Sequence, residues 1–321
     1  MEPIERIHVA AGVIYNRQGE VLITRRAKHV HQGGLWEFPG GKLEADEIVQ
    51  QALARELEEE LGIRVVASEA LIRIHYDYPD KKVLLDVWRV SEYAGEAHGR
   101  EGQPLQWVAP DQLYKFTFPD ANLPVVNAAC LPDQYLVTGA YTDEIDFISR
   151  LGNSLKRGIR LLQLRLKDID KSNTSLIEQA VNLCRQYNAC VLLNTDVEHS
   201  MQFDLGGVHL NSMRLMKYQF RPVDKSKYLA ASIHNMIELE QAHKIGVDFI
   251  VVSPVHKTLS HQDAIPIGWQ GLYELTEASR CPVYALGGMT LEDIHQAKKH
   301  GAQGIAAISA LWGDNHVKTN S

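Results

Sequence analysis

Apolar residues between positions 48 and 61 recur at intervals of three and four, which predicts an amphipathic helix in the first half of the chain. The predicted buried stripe consists of Ile48, Ala52, Leu53, Leu57 and Leu61. Gly40 and Gly41 predict a turn ahead of this helix. Gly62 predicts its C-terminal end, because glycine readily adopts the left-handed conformation that terminates helices.

Runs of β-branched residues predict strands on both sides of this helix. Residues 7–15 and 21–26 are separated by the turn-rich segment NRQGE, which predicts a hairpin. Residues 72–78 and 83–90 predict two further strands, and residues 105–108 predict a short third one. The first half of the chain is therefore expected to form an α/β domain.

From residue 135 onward, near-continuous hydrophobic runs alternate with segments of helical length. The runs begin at residues 135, 161, 190, 206, 229, 249, 283 and 304. Eight buried strands separated by helices are typical of a (β/α)8 TIM barrel, although an open doubly wound sheet shows the same alternation. The number of units and the glycine-bearing ends of the last strands favour the closed barrel.

The length of the chain indicates two domains, since 321 residues is long for a single domain of about 150 residues. Residues 127–134, NAACLPDQ, form a short segment that contains a proline, so we place the boundary there. The predicted domains are 1–130 and 134–315, with no long flexible linker between them.

Charge restricts the function of both domains. Residues 1–130 hold 14 Lys and Arg against 20 Asp and Glu, a net charge of −6, and the total of −7 leaves −1 for residues 131–321. Neither half is basic, so we expect no direct contact with nucleic acid. An acidic protein that handles polyphosphate needs a metal ion.

The rest of the composition is that of an ordinary globular protein, with 45% hydrophobic and 23% charged residues. No apolar stretch approaches the ~18 residues of a membrane span, and acidic residues occupy the N-terminus where a signal peptide is basic. We therefore expect a cytoplasmic protein that does not contact membranes. Four cysteines without C-x-x-C spacing predict free thiols and no zinc site.

Three carboxylates on the predicted helix provide the first candidate chemistry. Glu56, Glu59 and Glu60 are spaced i, i+3, i+4, so they share one face of the helix. Carboxylates this close repel one another unless the face is solvated or a hard cation such as Mg²⁺ lies among them. An acidic, solvated helix remains the alternative.

The surrounding residues extend these carboxylates into a longer motif. The motif reads Gly41, five residues, Glu47, seven residues, Arg55-Glu56-Leu57, one residue, Glu59-Glu60, one residue, Gly62-Ile63. It resembles the Nudix box of the nucleoside-diphosphate-linked-moiety hydrolases at every fixed position. The resemblance implies a Nudix α/β/α sandwich with a mixed sheet.

Further segments resemble the MutT-type members of this family, pyrophosphohydrolases that remove 8-oxo-dGTP from the nucleotide pool. These segments are TRR at 24–26, EFPGGK at 37–42, EGQP at 101–104 and FPDAN at 118–122. The resemblance covers about residues 5–128. It implies a hydrolase that converts 8-oxo-dGTP to 8-oxo-dGMP and pyrophosphate by attack at the β-phosphorus.

The resemblance also implies roles for individual residues. Mg²⁺, or Mn²⁺ in its place, would be held by Gly40, Glu56, Glu59, Glu60 and Glu101. Glu56, Glu59 and Glu101 would act in catalysis, Glu101 as a metal ligand or as the base. The nucleotide would contact Arg26, His31, Glu37, Phe38, Pro39, Gly40, Tyr78 and Asn122.

Three of these residues have simpler interpretations when considered alone. Arg26 fits a solvated strand end, Glu101 fits plain surface charge, and Asn122 fits the N-cap of a last helix. Tyr78 and Lys81 stand where close relatives have Phe and Arg, so stacking is retained while a guanidinium contact is lost.

The second domain resembles thiamine-phosphate synthase and its TenI-like relatives over residues 134–313. The resemblance lies in QLRLK at 163–167, Asn194 with Asp196, GVHL at 207–210, SIHN at 232–235 and LGGM at 286–289. It implies a phosphate-bearing ligand facing Gln163, Arg165, Lys167 and Asn194, with Asp196 binding Mg²⁺. The loops after the last two strands, with Gly287, Gly288 and Ser309, are typical phosphate sites of such barrels.

Two departures distinguish this barrel from the synthases. Arg214 stands where the synthases have a second acidic metal ligand, and His261 stands where they have a lysine that binds pyrophosphate. The sequence therefore favours ligand binding or a vestigial scaffold over thiamine-phosphate synthesis. Two other functions stay open: a Nudix domain that hydrolyses thiamine-pathway pyrophosphates, and a barrel that acts as a ligand-binding sensor.

Overall fold

The computed structural model describes residues 6–28, 32–79, 81–166, 174–258 and 265–313. The chain separates into two compact units, with the main division between Leu131 and Pro132. None of the helices in these ranges is both long enough and apolar enough to cross a bilayer.

The first unit contains strands of very different lengths and two α-helices in its described part. The strands are β1 (Arg6–Ile14), β2 (Val21–Arg25), β3 (Trp36–Glu37), β4 (Gly40–Lys42), β5 (Arg64–Asp77), β6 (Lys82–Ala94) and β7 (Leu105–Val108). The helices are α1 (Val49–Leu61) and α2 (Leu123–Cys130), with 3-10 turns at Pro110–Lys115 and Asp120–Asn122.

In the described residues, these strands form one sheet in the order β4-β1-β6-β5 and a second in the order β3-β2-β7. Strand β1 pairs in parallel with β6 and antiparallel with β4, so the first sheet is mixed. Successive side chains of a strand point to opposite faces. Ala10 and Ile14 therefore pack with helix α1, whereas Ala11 and Val13 pack with helix α2. Two hydrophobic cores on opposite faces give the α/β/α sandwich that the Nudix resemblance implies.

The predicted hairpin between residues 7–15 and 21–26 is wrong, although both segments are strands. Strands β1 and β2 belong to different sheets and are joined by an isolated bridge between Tyr15 and Val21. The Asn16 side-chain oxygen accepts hydrogen bonds from the amides of Gln18 and Glu20, both at 2.9 Å, and closes a tight turn. Beyond this turn, β2 pairs with β3 and β7 instead of returning along β1.

Helix α1 confirms most of the predicted stripe, since Ala52, Leu53, Leu57 and Leu61 are buried. Ile48 is instead 59% exposed, because it occupies the extended N-cap position and lies outside the helical period. Gly62 ends the helix in the left-handed conformation, with φ of 69°. The predicted turn at Gly40 and Gly41 is wrong, because both residues belong to the short strand β4.

The second unit is a closed barrel of eight parallel strands within the described ranges, which confirms the predicted TIM barrel. Its strands are β8 (Gln134–Val137), β9 (Leu161–Leu164), β10 (Cys190–Leu193), β11 (Gly207–Leu210), β12 (Tyr228–Ile233), β13 (Phe249–Val252), β14 (Val283–Leu286) and β15 (Gly304–Ala307). Its helices are α3 (Glu144–Lys156), α4 (Thr174–Gln186), α5 (Val197–Ser200), α6 (Ser212–Leu215), α7 (Met236–Ile245), α8 (Gly268–Ala278), α9 (Ile294–Lys299) and α10 (Ser309–Trp312).

A buried histidine links polar groups inside this barrel. The His209 ring lies 3.1 Å from the Tyr135 hydroxyl through Nδ1 and 2.8 Å from the Ser232 hydroxyl through Nε2. Its burial, and secondarily the charge of Arg165, lowers the pKa of His209 to about 3. The folded barrel therefore keeps this imidazole neutral.

The neutral histidine predicts a pH-dependent stability. The unfolded chain takes up the His209 proton near pH 6.5 and the folded chain only near pH 3, so acidification between these values favours unfolding. Replacing His209 with glutamine should flatten the pH dependence of the unfolding free energy in that window by about 1.4 kcal/mol per pH unit. The measurement is urea unfolding of the full chain at several pH values, monitored by hydrogen exchange at the backbone amides of residues 207–210. Exposed His295→Gln is the control, and an unchanged slope in His209→Gln would contradict this assignment.

All four cysteines are free thiols, as predicted. Burial raises the pKa values of Cys130, Cys184 and Cys190 to about 12 each, so these thiols are protonated near neutral pH.

Candidate active site

One arginine on helix α1 binds three of the carboxylates of the motif. The Arg55 guanidinium donates to both Glu47 oxygens at 2.9 Å, to Glu56 at 2.9 Å and more weakly to Glu59 at 3.4 Å. It also donates to the Lys42 carbonyl at 3.0 Å, which joins the helix to strand β4. Glu47 and Glu56 raise the pKa of Arg55, so it remains a permanent cation. The positive charge of Arg55 thus partly balances the predicted repulsion among the glutamates.

Glu60 lies apart from this arginine and among other carboxylates. Burial is the main cause that raises the pKa of Glu60 to about 8, and the negative charges of Glu37, Glu56 and Glu101 add to it. The Gly40 amide donates to Glu60 at 3.2 Å and acts in the opposite direction. A half-buried carboxylate whose pKa is raised by three other carboxylates is a position that a bound cation would stabilise.

The two glycines before the helix permit this close approach. A Cβ atom on Gly40 would lie 2.1 Å from the Ala10 carbonyl oxygen, and the φ of Gly40 is 145°. A Cβ atom on Gly41 would lie 2.1 Å from the carboxylate carbon of Glu56. Strand β4 can therefore pass beside the acidic face of the helix only because it has no side chains at these positions.

Hydrogen bonds from the loop before strand β7 to helix α1 bring Glu101 to the carboxylate cluster. The Arg100 amide donates to the Glu60 carbonyl at 2.9 Å, and the Gln103 side chain donates to the same oxygen at 3.0 Å. The Glu101 amide donates in turn to the Gln103 side-chain oxygen at 2.9 Å. Sequence reasoning gave Arg100 and Gln103 no role, because contacts to a distant main-chain carbonyl leave no spacing signal.

The cluster offers oxygen donors of the kind that Mg²⁺ and Mn²⁺ prefer. In the part of the chain that the structure describes, no group of three or more His, Cys, Asp or Glu side chains is already gathered around one point. Arg55 explains this spread, since it draws Glu56 and Glu59 toward Glu47. The donor set fits a hard divalent cation, provided that these carboxylates turn from the guanidinium to the metal.

The role of Arg55 gives a stability prediction. Arg55→Gln is expected to lower the unfolding free energy of the metal-free protein by about 1 kcal/mol, because it leaves three carboxylates without a counter-ion. Saturating Mg²⁺ should reduce the difference in unfolding free energy between Arg55→Gln and the wild type, because the metal replaces the lost positive charge. Urea unfolding with EDTA and with Mg²⁺ measures both values, and Arg17→Gln, an exposed arginine of the same unit, is the control. An equal loss under both conditions would show that Arg55 acts independently of the metal site.

The polar residues predicted to contact nucleotide have different surroundings. Arg26 forms an ion pair with Glu37, and burial raises the pKa of Glu37 against the opposing charge of this arginine. Tyr78 packs at a tilt on Tyr76, with ring centres 4.6 Å apart, and the Lys81 ammonium lies 5.3 Å from its ring. His31 lies outside the described residues.

Two of the residues predicted to contact the nucleotide make contacts within the protein instead. The Phe38 ring is 4% exposed and stacks on Phe118 at 5.4 Å, so it has no free face for a base. The Pro39 carbonyl accepts from the Gly12 amide at 2.8 Å. Asn122 precedes helix α2 at the N-cap position but makes no side-chain capping bond. The side-chain amide of Asn122 is therefore available for a ligand.

The barrel residues of interest lie at the carboxyl ends of neighbouring strands. Gln163 is buried within β9, and Arg165 follows that strand. Asn194 and Asp196 follow β10, and both accept hydrogen bonds from Arg214. Lys167 lies outside the described residues.

The loops after the last two strands hold the remaining predicted barrel residues. Gly287 and Gly288 have φ of 110° and 67°, and a Cβ atom on Gly287 would lie 2.9 Å from Pro254. Ser309 is exposed at the start of helix α10. The backbone of this loop therefore requires glycine, which is compatible with a close approach to a ligand.

An α/β/α sandwich with an acidic helix, followed in one chain by a closed parallel barrel, defines a two-domain fusion protein. The NUDIX domain matches residues 10–128, and the thiamine monophosphate synthase family matches residues 134–311. The chain belongs to the Nudix family through its first unit and to the thiamine monophosphate synthase family through its second. The first unit is thus a Nudix hydrolase, a class that generally uses a divalent metal ion.

Curated relatives match each unit separately. The "Putative thiamine-phosphate synthase 2" of Aquifex aeolicus is 37% identical over 180 residues, 56% of this chain and 97% of that protein. The 8-oxo-dGTP diphosphatase of Escherichia coli is 40% identical over 123 residues, 38% of this chain and 95% of that protein. The CTP pyrophosphohydrolase of Escherichia coli is 35% identical over 125 residues, 39% of this chain and 92% of that protein.

Proposed function

We propose that the first unit hydrolyses 8-oxo-dGTP to 8-oxo-dGMP and pyrophosphate in the cytoplasm, and so keeps oxidised guanine out of DNA. The observation that carries the proposal is the half-buried Glu60 on the acidic face of helix α1, which accepts from the Gly40 amide at 3.2 Å and whose pKa is raised by burial and by the charges of Glu37, Glu56 and Glu101. Such a position suits a metal-assisted reaction on a polyphosphate. The 8-oxo-dGTP diphosphatase relatives support this choice of substrate.

The metal ligands in this proposal are the Gly40 carbonyl, Glu56, Glu59 and Glu60, with Glu101 as a further ligand or as the base. When bound, Mg²⁺ neutralises phosphate charge and lowers the pKa of water, and Mn²⁺ is expected to substitute for it. The loop bonds from Arg100 and Gln103 hold Glu101 at the end of helix α1. This anchoring supports a role for the Glu101 carboxylate as a further metal ligand or as the base that accepts a proton from the attacking water.

Arg26 and Asn122 hold the two ends of the nucleotide in this proposal. Arg26 meets phosphate after release from its ion pair with Glu37. The Asn122 amide both donates and accepts, as the edge of an oxidised guanine requires. A site that needs both bonds rejects a base that offers one of them.

Hydrolysis in ¹⁸O-labelled water tests the reaction and its position of attack. With Mg²⁺ present, we expect 8-oxo-dGMP and pyrophosphate as products, with the label in pyrophosphate because water attacks the β-phosphorus. EDTA should abolish turnover. A label in 8-oxo-dGMP would place the attack at the α-phosphorus, and release of orthophosphate would overturn the proposed reaction.

Two other functions have specific support. The barrel's family suggests that the Nudix unit hydrolyses a pyrophosphorylated pyrimidine or thiamine ester, and the CTP pyrophosphohydrolase relative suggests a pyrimidine nucleotide. The FPDAN segment at 118–122 favours 8-oxo-dGTP, because its asparagine amide is not used for helix capping. Turnover of these competing substrates under the same conditions distinguishes the possibilities.

A further inference from the structure

Arg214 occupies the position at the end of the barrel where the family resemblance places a metal carboxylate. Its Nε donates to Asp196 at 2.9 Å, and its Nη1 donates to Asn194 at 3.0 Å. The Asn211 side chain accepts from the Arg214 amide at 2.9 Å, which fixes the start of helix α6 just after strand β11. Arg214, which follows strand β11, thus directs its guanidinium to two residues that follow the adjacent strand β10.

This arrangement does not fit a divalent cation at Asp196. The carboxylate already has a cation within hydrogen-bonding distance, and an arginine cannot release that charge by losing a proton. The Nudix site has further carboxylates in Glu60 and Glu101, whereas Asp196 is the one acidic residue predicted at this barrel site. A metal bound to Asp196 would lie close to the guanidinium and be repelled by it. Asn194, the other oxygen donor nearby, also accepts from the same guanidinium.

We infer that Arg214 takes the place of the divalent cation in this barrel, so that the site binds a phosphate ester without metal. The Nη2 group of Arg214 makes no hydrogen bond to a described residue, so its two N–H groups can meet phosphate oxygens. The inference concerns the barrel alone and does not depend on the substrate of the Nudix unit.

Arg165 supplies a second cation at the same end of the barrel. It follows strand β9, which pairs with β10, and its amide donates to the Thr138 hydroxyl at 2.8 Å. Within the described residues, its guanidinium makes no hydrogen bond or ion pair, although it is close enough to influence the pKa of His209. Arg165 and Arg214 follow the strands on either side of β10, and Asn194 follows β10 itself, so the two guanidinium groups would form an anion site without a metal.

Manganese binding tests the exclusion of metal. The full chain carries Glu56→Gln and Glu59→Gln to remove metal from the Nudix unit, and bound Mn²⁺ is measured by electron paramagnetic resonance. At roughly millimolar Mn²⁺, we expect no bound ion in this background and about one per chain after the further change Arg214→Asp. Arg185→Asp, which breaks a similar pair with Asp204 on the barrel, is the matched control and should bind none. Mn²⁺ bound with Arg214 present, and lost on Asp196→Asn, would overturn the inference.

Phosphate binding tests the second half of the inference. Inorganic phosphate is titrated calorimetrically into the same Nudix-silenced chain, once with EDTA and once with Mg²⁺. The dissociation constant should be equal within about twofold in the two conditions, and should rise about tenfold in Arg214→Gln and in Arg165→Gln. The control is Arg185→Gln, which should leave it unchanged. Binding that requires Mg²⁺, no binding at all, or no effect of either substitution would contradict a metal-free phosphate site.

Discussion

Replacing Glu59 with glutamine is expected to lower kcat for pyrophosphate release from 8-oxo-dGTP by about 10²- to 10³-fold. The change removes one negative oxygen donor from the proposed metal site while keeping the shape of the side chain. The Glu59 side chain is 59% exposed, so the substitution should leave the fold intact. Steady-state kinetics at saturating Mg²⁺ separate lost chemistry from weaker metal binding.

Glu58→Gln is the matched control for this change. Glu58 lies on the same helix and carries the same charge, but its carboxylate is 52% exposed and lies 3.7 Å from Arg100. Arg100 keeps its bond to the Glu58 carbonyl, so the Glu101 loop stays anchored. We expect kcat of Glu58→Gln within about twofold of wild type. Equal turnover in Glu59→Gln and Glu58→Gln would show that Glu59 does not bind the metal.

The second large effect concerns base selection. Asn122→Ala is expected to lower kcat/KM for 8-oxo-dGTP by about 10- to 100-fold, and for dGTP by much less. The reason is that the amide donates to and accepts from the oxidised base, whereas guanine offers only part of this pattern. The change should appear mainly in KM, because the amide holds the base and does not touch the reacting phosphate.

Asp120→Ala is the control for Asn122→Ala, since its exposed side chain lies on the same 3-10 turn. We expect both nucleotides to be hydrolysed by this variant at nearly the wild-type rate. If Asn122→Ala lowers kcat/KM equally for 8-oxo-dGTP and dGTP, base discrimination lies elsewhere. Tyr78 is then the next residue to test, since it stands where close relatives have Phe.

The regular elements could be predicted from periodicity, because periodicity reports directly on burial. The helical stripe from Ala52 to Leu61, the glycine at its end and the eight barrel strands all follow from local pattern. The pairing of β1 and β2 could not be predicted in this way. Whether a strand pairs with its neighbour in sequence or with a distant one depends on the three-dimensional arrangement, and the turn at Asn16 permits either outcome.

The candidate site was partly accessible from sequence. Spacing placed the carboxylates on one helix, and the family resemblance added Glu101, but neither indicated that Arg55 would hold three of the glutamates. The role of Phe38 could not be predicted from sequence, because an aromatic residue beside a motif can equally well stack on a nucleotide base or pack in the hydrophobic core. Its contact with Phe118 becomes visible only in the folded structure, where the residue after strand β3 meets the segment before the 3-10 turn at Asp120–Asn122.

The central claim is that the Nudix unit acts on an oxidised guanine nucleotide, and a comparison of kcat/KM tests it most directly. Pyrophosphate release by the full chain is measured with Mg²⁺ and with sub-saturating 8-oxo-dGTP and dGTP, and orthophosphate release is measured with sub-saturating thiamine pyrophosphate. We expect 8-oxo-dGTP to exceed both competitors by about a hundredfold or more. Preference for thiamine pyrophosphate would contradict the claim and make the barrel the guide to the function of the whole chain.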